Sequence, residues 1–194
     1  MRTGIIILAG GNSSRLGQPK QLLTFNRKQL MDIVTEAAIE SGFSPVLAVL
    51  GGHAKQLAEK LKIDFIINQQ WEAGISTSIV AGLSVVLQRD PDLDRVILSV
   101  SDQPFISAAI FKALFEKQQI SGKGIVASQY AGTMGTPVLF TKKYFAQLLA
   151  LIGNSGAKAI IAENLNDVAT IAFGMGHIDI DTMADYTNLT QQHT

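Results

Sequence analysis

Short, uninterrupted apolar runs recur along this chain, each separated from the next by a longer segment with helical spacing. Residues 5–8, Ile-Ile-Ile-Leu, are the clearest case, and Ala9-Gly10-Gly11 stops the run. An apolar run of that length without polar alternation reads as a strand buried on both faces. Residues 45–50, 64–67 and 95–100 repeat the pattern, residues 125–128 and 137–140 are weaker copies, and residues 168–173 and 177–180 are later candidates. Between them, Leu30, Ile33, Val34, Ala37 and Ala38 follow i, i+3, i+4 spacing up to the stop signal Ser41-Gly42. Further helices are predicted over residues 53–61, 76–89, 107–119, 144–151, 157–164 and 182–189. Ser76 or Thr77, Ser107 and Thr182 are the available caps, and Asp185 falls at the third position of the last helix. Strands alternating with helices imply βαβ units: a mostly parallel sheet with helices on both faces, whose ligands bind at the carboxyl ends of the strands. With no repeat or linker-like stretch, residues 1–194 are expected to form one domain. Residues 129–135 and 153–156 are the expected places for a small lobe or a lid.

The totals narrow the function. Hydrophobic residues are 47% and charged residues 16% of the 194, the balance of a globular core. Lys+Arg and Asp+Glu are both 16, so net charge gives no reason to expect a nucleic-acid partner. The absence of cysteine excludes disulfides, zinc–thiolate sites and a cysteine nucleophile. The run at residues 5–8 is too short for the apolar core of a signal peptide, and no stretch approaches the roughly 20 residues of a membrane span. A soluble cytoplasmic protein is the expectation.

The segment after the first run is Leu8-Ala9-Gly10-Gly11-Asn12-Ser13-Ser14-Arg15-Leu16-Gly17-Gln18-Pro19-Lys20. Adjacent glycines allow close backbone approach to a ligand, and successive free N–H groups form an anion cradle. Arg15 and Lys20 add two positive charges, an arrangement suited to phosphate. A Walker A loop would need Lys and then Ser or Thr after Gly17, where Gln18 stands. The Gly-x-Gly-x-x-Gly dinucleotide fingerprint does not fit Gly10, Gly11 and Gly17 either. On spacing alone the segment is an anion-binding turn or a plain strand-to-helix connection.

Leu8-Ala9-Gly10-Gly11-x-Ser13-x-Arg15-x-Gly17-x-x-Lys20 resembles the signature of the MobA-like nucleotidyltransferases, which include the molybdenum cofactor guanylyl- and cytidylyltransferases. The resemblance continues through Asn68-x-x-Trp71-x-x-Gly74-Ile75-x-x-Ser78, Ser101-Asp102-Gln103-Pro104-Phe105, Gly135-x-Pro137-x-Leu139-Phe140 and Asp179-Ile180-Asp181-Thr182 with Asp185-Tyr186. It implies an α/β/α three-layer sandwich, Rossmann-like, of the nucleotide-diphospho-sugar transferase type. Gly10 matches the guanylyl branch, whereas Asp102-Gln103-Pro104 and Trp71-x-x-Gly74 match the cytidylyl branch, and CTP is expected ahead of GTP. The family's late Gly-Asp-x-Gly-Ala-Arg block is Gly153-Asn154-Ser155-Gly156-Ala157-Lys158 here, an amide for a carboxylate and a Lys for an Arg.

Asp102 directly follows the run at 95–100, so it is expected at the carboxyl end of that strand. There it either holds Mg²⁺, commonly bound by one or two carboxylates plus substrate phosphates, or caps a turn. His177, Asp179 and Asp181 have period-two spacing and would share one face of a strand. The resemblance points to Asp102 and Asp181 as the Mg²⁺ carboxylates and leaves Asp179 either supporting them or at the surface; the other reading of Asp181 is a cap of the last helix. It also implies a nucleotide site made of Leu8, Ala9, Gly10, Gly11, Ser13, Arg15, Lys20, Asn68, Gly74 and Ser78, with Arg15 and Lys20 as the catalytic cations. Trp71 is read either as a wall of that pocket or as a core residue. The expected reaction moves a nucleoside monophosphate from CTP or GTP to the phosphate of a molybdopterin-type acceptor. The rival readings are a sugar- or polyol-phosphate nucleotidyltransferase and a non-catalytic accessory protein serving a molybdoenzyme or its chaperone.

Overall fold

The computed structural model describes residues 1–13 and 16–192. β1 (Thr3–Ala9) leads, past the glycine turn, to a two-stranded hairpin, β2 (Thr24–Phe25) and β3 (Lys28–Gln29), and then to α1 (Leu30–Glu40). There follow β4 (Val46–Leu50), α2 (Ala54–Ala58), β5 (Asp64–Ile67), α3 (Ile75–Arg89), β6 (Arg95–Val100) and α4 (Ala108–Ser121). The chain closes with β7 (Ile125–Tyr130), β8 (Thr133–Thr141), α5 (Phe145–Leu149), α6 (Ala157–Glu163), β9 (Val168–Ala172) and α7 (Met183–Gln192).

Seven strands form one sheet in the order β5-β4-β1-β6-β8-β7-β9. Only β8 runs against the others, pairing antiparallel with both β6 and β7. The sheet is mostly parallel and covered by helices on both faces, as the alternating pattern predicts. β1 shows why its sequence has no polar alternation. Ile6 and Leu8 face Ile79, Leu83 and Val86 of α3, while Ile5, Ile7 and Ala9 face Met31, Val34 and Ala38 of α1 and Phe111 and Leu114 of α4. Ile5, Ile6 and Ile7 are all fully buried, and each such side chain contributes about 1.5–3 kcal/mol of burial free energy. A third apolar cluster joins Leu16, Leu23, Phe25 and Leu30 to Ile180 and Leu189. It docks the C-terminal segment against the chain that follows the glycine turn.

Strand order places the binding crevice. From β1 the chain moves outward through β4 to β5, then crosses back to β6 on the other side of β1. Successive connections therefore leave in opposite directions at the carboxyl ends of β1 and β6, the topological switch point where open α/β sheets bind ligands. Both the glycine turn and Ser101-Asp102 start there.

Several local expectations are corrected. Residues 177–180 form no strand: the chain turns at 174–177 and continues irregularly to α7. His177, Asp179 and Asp181 therefore share no strand face. His177 is exposed, and its Nδ1 lies 2.9 Å from the Gly174 carbonyl oxygen. The helices expected over 53–61 and 144–151 shorten to α2 and α5. Gly74, with φ 113°, takes the N-cap position of α3 instead of Ser76 or Thr77. Ser107 stands at the N-cap of α4 without a side-chain capping bond. The expected cap of α7 is present: the Asp185 N–H donates to Thr182 Oγ1 (3.2 Å) and the Thr182 N–H to Asp185 Oδ2 (2.8 Å). Residues 129–135 are the end of the β7–β8 hairpin, turning through Ala131 and Gly132. The β2–β3 hairpin was not anticipated, although the positive φ of Asn26 (48°) and Arg27 (66°) makes Asn26 a turn signal.

Candidate active site

The glycine turn begins where β1 leaves the core. The Gly10 carbonyl accepts the Gly52 N–H (3.2 Å), and a Cβ on Gly51 would stand 2.2 Å from the same oxygen. The turns after β1 and β4 thus pack backbone against backbone at Gly51, which explains the glycine there, while a Cβ on Gly52 would meet Asn12 at 2.8 Å and one on Gly11 would meet nothing within 4 Å. At Gly10 itself, a Cβ would stand 2.8 Å from Ser78 Oγ. Ser13, at φ 50°, holds the far end of the turn, where its Oγ accepts the Lys20 N–H (3.1 Å). That bond orients the single 3₁₀ turn Lys20–Leu22.

Lys20 is directed into the crevice. Its Nζ donates to Asp102 Oδ2 at 2.5 Å and to Asp181 Oδ1 at 3.1 Å. Burial works against the ammonium charge, but the two carboxylates outweigh it and raise the Lys20 pKa above its ordinary value. Burial, followed by the negative charges of Asp102 and Asp181, raises the Asp179 pKa; Lys20 opposes this. The Oδ1 of Asp102 is buried and has no hydrogen-bond partner, and neither has Oε1 of the buried Gln21, one residue after Lys20.

A cavity of about 360 Å³ opens over these groups, lined by Leu8, Gly10, Gly11, Asn12, Lys20, Gln21, Trp71, Glu72, Gly74, Ile75, Ser78, Val100, Ser101, Asp102 and Asn154. A second cavity of about 280 Å³ shares Leu8, Ile75, Val100 and Asn154 with the first and continues past Ile79, Gly135, Thr136, Gly156, Ala157 and Lys158. The turn at residues 153–156 separates the two and is tied down: Ser76 Oγ donates to the Gly153 carbonyl at 2.7 Å. Asn154 therefore stands at the junction of both cavities.

Of the residues singled out from sequence, Leu8, Gly10, Gly11, Lys20, Gly74, Ser78 and Asp102 line the first cavity, and Asp181 meets Lys20 at its edge. Ala9 is in the core, and Ser13 serves the turn. Asn68 is buried and committed to the scaffold. Its Nδ2 donates to Thr77 Oγ1 (2.8 Å) and Ser78 Oγ (3.0 Å), and its Oδ1 accepts the Gln70 N–H (2.9 Å). Asn68 thereby fixes Ser78 instead of lining the cavity. Arg15 lies outside the described residues. Sequence reasoning missed Gln21, Glu72 and Ser101. The one signal in the sequence for Gln21 is its place directly after Lys20; its burial is set by tertiary packing.

These residues suit a divalent cation. Asp102 and Asp181 both reach one ammonium, so both reach one point, and the unpartnered oxygens of Asp102 and Gln21 are the hard donors that Mg²⁺ and Mn²⁺ take. Among the described residues no group of three or more His, Asp or Glu side chains forms a cage by itself.

Several known proteins are similar to this chain. The molybdenum cofactor cytidylyltransferase of Escherichia coli is 23% identical over 193 residues, which cover 97% of this chain and 96% of that one. The nicotine blue oxidoreductase of Paenarthrobacter nicotinovorans is 26% identical over 106 residues, 53% of this chain, and the match spans only 50% of that relative. The crystal structure of Rv0371c from Mycobacterium tuberculosis superposes with a TM-score of 0.84 at 26% identity, covering 98% of this chain and 99% of that one. A second Rv0371c structure is a manganese complex, with a TM-score of 0.78 at 24% identity over 98% of this chain and 99% of that one. The model of the MobA-like NTP transferase domain matches residues 5–168. With that match over most of its length and the switch-point crevice to accompany it, the chain belongs to the MobA-like NTP transferase family of nucleotidyltransferases.

Proposed function

We propose that the protein transfers CMP, in preference to GMP, from the nucleoside triphosphate to the phosphate of a molybdopterin-type acceptor and releases pyrophosphate. The observation that carries this reading is the meeting of Lys20, Asp102 and Asp181 at the mouth of the larger cavity, although they are up to 161 positions apart in sequence. In this reading the nucleotide occupies the cavity beside Gly10, Gly11 and Ser78. The acceptor occupies the more apolar cavity that ends at Lys158, with Asn154 between the two.

A phosphate nucleophile is already anionic, so the chain has no proton to remove. Its work is positioning and charge stabilisation. Lys20 neutralises charge at the α-phosphate as the acceptor phosphate attacks in line. Arg15 holds the β- and γ-phosphates, a role that rests on the family resemblance. Asp102 and Asp181 would hold Mg²⁺, which when bound would supply Lewis-acid neutralisation of phosphate charge. Support for a divalent ion comes from the donor set and from the manganese complex of Rv0371c.

A sugar- or polyol-phosphate acceptor is the second reading, favoured by Asn154 and Lys158 at the acceptor side. Pyrophosphate release assayed with CTP and with GTP, each alone, with molybdopterin and with a polyol phosphate, tests the proposal. Release that requires molybdopterin and is faster with CTP is expected. Release that requires a polyol phosphate instead transfers the reading to that acceptor, and no release with any pair contradicts the enzyme reading for these acceptors.

A further inference from the structure

Lys20 has two claims on it. The reaction needs its ammonium on the nucleotide, yet in the structure it neutralises Asp102 and Asp181, both within hydrogen-bond reach. Charge-assisted bonds of that kind are the strong ones, and the side chains of Lys20 and Asp102 are only 16% and 14% exposed, so water screens them poorly. A divalent cation engaging both carboxylates would sit within a few ångströms of a second positive charge in the same half-buried crevice, where like charges repel strongly. Lys20 Nζ already takes Asp102 Oδ2 and Asp181 Oδ1, so an ion engaging both carboxylates competes with it for their negative charge.

We propose that Lys20 is the built-in counter-ion of the carboxylate pair and competes with the divalent ion for it, so that metal and nucleotide enter together. The phosphates give Lys20 a new anionic partner as it leaves the carboxylates, and Asp102 and Asp181 are released for the ion. The inference rests on the reading of Asp102 and Asp181 as the metal pair. It adds that free protein binds the ion weakly by design, and that nucleotide and metal raise each other's affinity by the same factor, as linkage requires.

The test is direct titration of the whole protein with Mn²⁺ alone, followed by electron paramagnetic resonance of the free ion. Lys20→Met is expected to bind Mn²⁺ about tenfold to a hundredfold more tightly than the wild type, the range set by losing one or two charged hydrogen bonds. Lys20→Arg, which keeps the charge, is expected to stay as weak as the wild type, and Asp102→Asn in the Lys20→Met background removes the gain. Lys20→Met binding no tighter than the wild type, while both still bind, overturns the competition and leaves the metal pair standing. Absence of Mn²⁺ binding in every variant, with or without CTP, overturns the metal pair and this inference with it. A measurement on the wild type alone guards against a variant that fails to fold: acetylation of Lys20, read by mass spectrometry, should rise several-fold when Mn²⁺ is added without nucleotide. Labelling of Lys20 that stays constant at saturating Mn²⁺ overturns the displacement.

Discussion

Gly74 holds the boundary between the two cavities, and its replacement by alanine has a cost that follows from local geometry. Its φ of 113° and ψ of 170° lie in a region open essentially to glycine alone, where another residue costs of order 1–3 kcal/mol. A Cβ there would stand 2.2 Å from the Gly153 carbonyl oxygen, 2.5 Å from the Gly153 carbonyl carbon and 2.7 Å from Asn154 Oδ1. Two of these atoms are backbone, held in place by Ser76 Oγ at 2.7 Å, so the whole turn has to move. Overpacking of that kind adds about 1–3 kcal/mol. The sum is about 2–6 kcal/mol, or roughly 5–20 °C in Tm for a chain of this length. Gly132→Ala is the control. It also replaces a glycine at positive φ (74°), but its Cβ would meet nothing within 4 Å, so the cost is about 1 kcal/mol from the left-handed backbone. Urea unfolding followed by far-ultraviolet circular dichroism measures both. Equal destabilisation by the two substitutions would refute the claim that the turn at 153–156 is wedged against the start of α3.

Two further outcomes are expected. Asp167 accepts hydrogen bonds from Lys143 Nζ (2.8 Å), the Gly124 N–H (3.0 Å) and the Tyr144 hydroxyl (2.7 Å). The Lys143 bond leads in lowering its pKa from 3.8 to about 2, with partial burial opposing. A folded pKa below the unfolded one means stability is fully present above pH 3.8 and is lost as the pH falls through about 2. The stability gap between wild type and Asp167→Asn should close over that window in a pH series of unfolding curves, and a gap constant from pH 6 to 2 would contradict the assignment. Trp71 is the one tryptophan of the chain and lines the larger cavity, so CTP should change intrinsic fluorescence saturably. Unchanged emission under conditions where calorimetry reports CTP binding would move the nucleotide elsewhere.

How much of this was legible in the sequence depended on whether the signal was local. The apolar runs at residues 5–8, 45–50 and 95–100 gave strands covered on both faces, because burial on both faces leaves no polar positions to alternate, but the run at 64–67 misled: β5 is the edge strand of the sheet, with Phe65 and Ile67 exposed. Asp102 was legible because a residue that directly follows a buried strand has to emerge at its carboxyl end. The alternation at residues 177–181 misled, because Ile178 and Ile180 alternate with polar residues without any strand partner. They anchor an irregular segment to the third apolar cluster, with Ile180 fully buried there. That same anchoring delivers Asp181 to Lys20, an effect of tertiary packing that residue spacing does not encode. The contact of Gly74 with Gly153 and the burial of Asn68 against Ser78 were invisible for the same reason: each is decided by a partner distant in the chain or by a side chain's direction. The two short hairpin strands went unnoticed because two residues are too few to show a period.

Attack at the α-phosphate leaves its record in the fate of labelled phosphorus. Incubation with molybdopterin, Mg²⁺ and CTP labelled at either the α- or the γ-position separates bond-breaking at the two phosphates. With attack at the α-phosphate, α-label enters the acceptor product in a one-to-one ratio with pyrophosphate, while γ-label leaves entirely as pyrophosphate. Transfer of γ-label to the acceptor, or release of α-label only as free CMP, would contradict it.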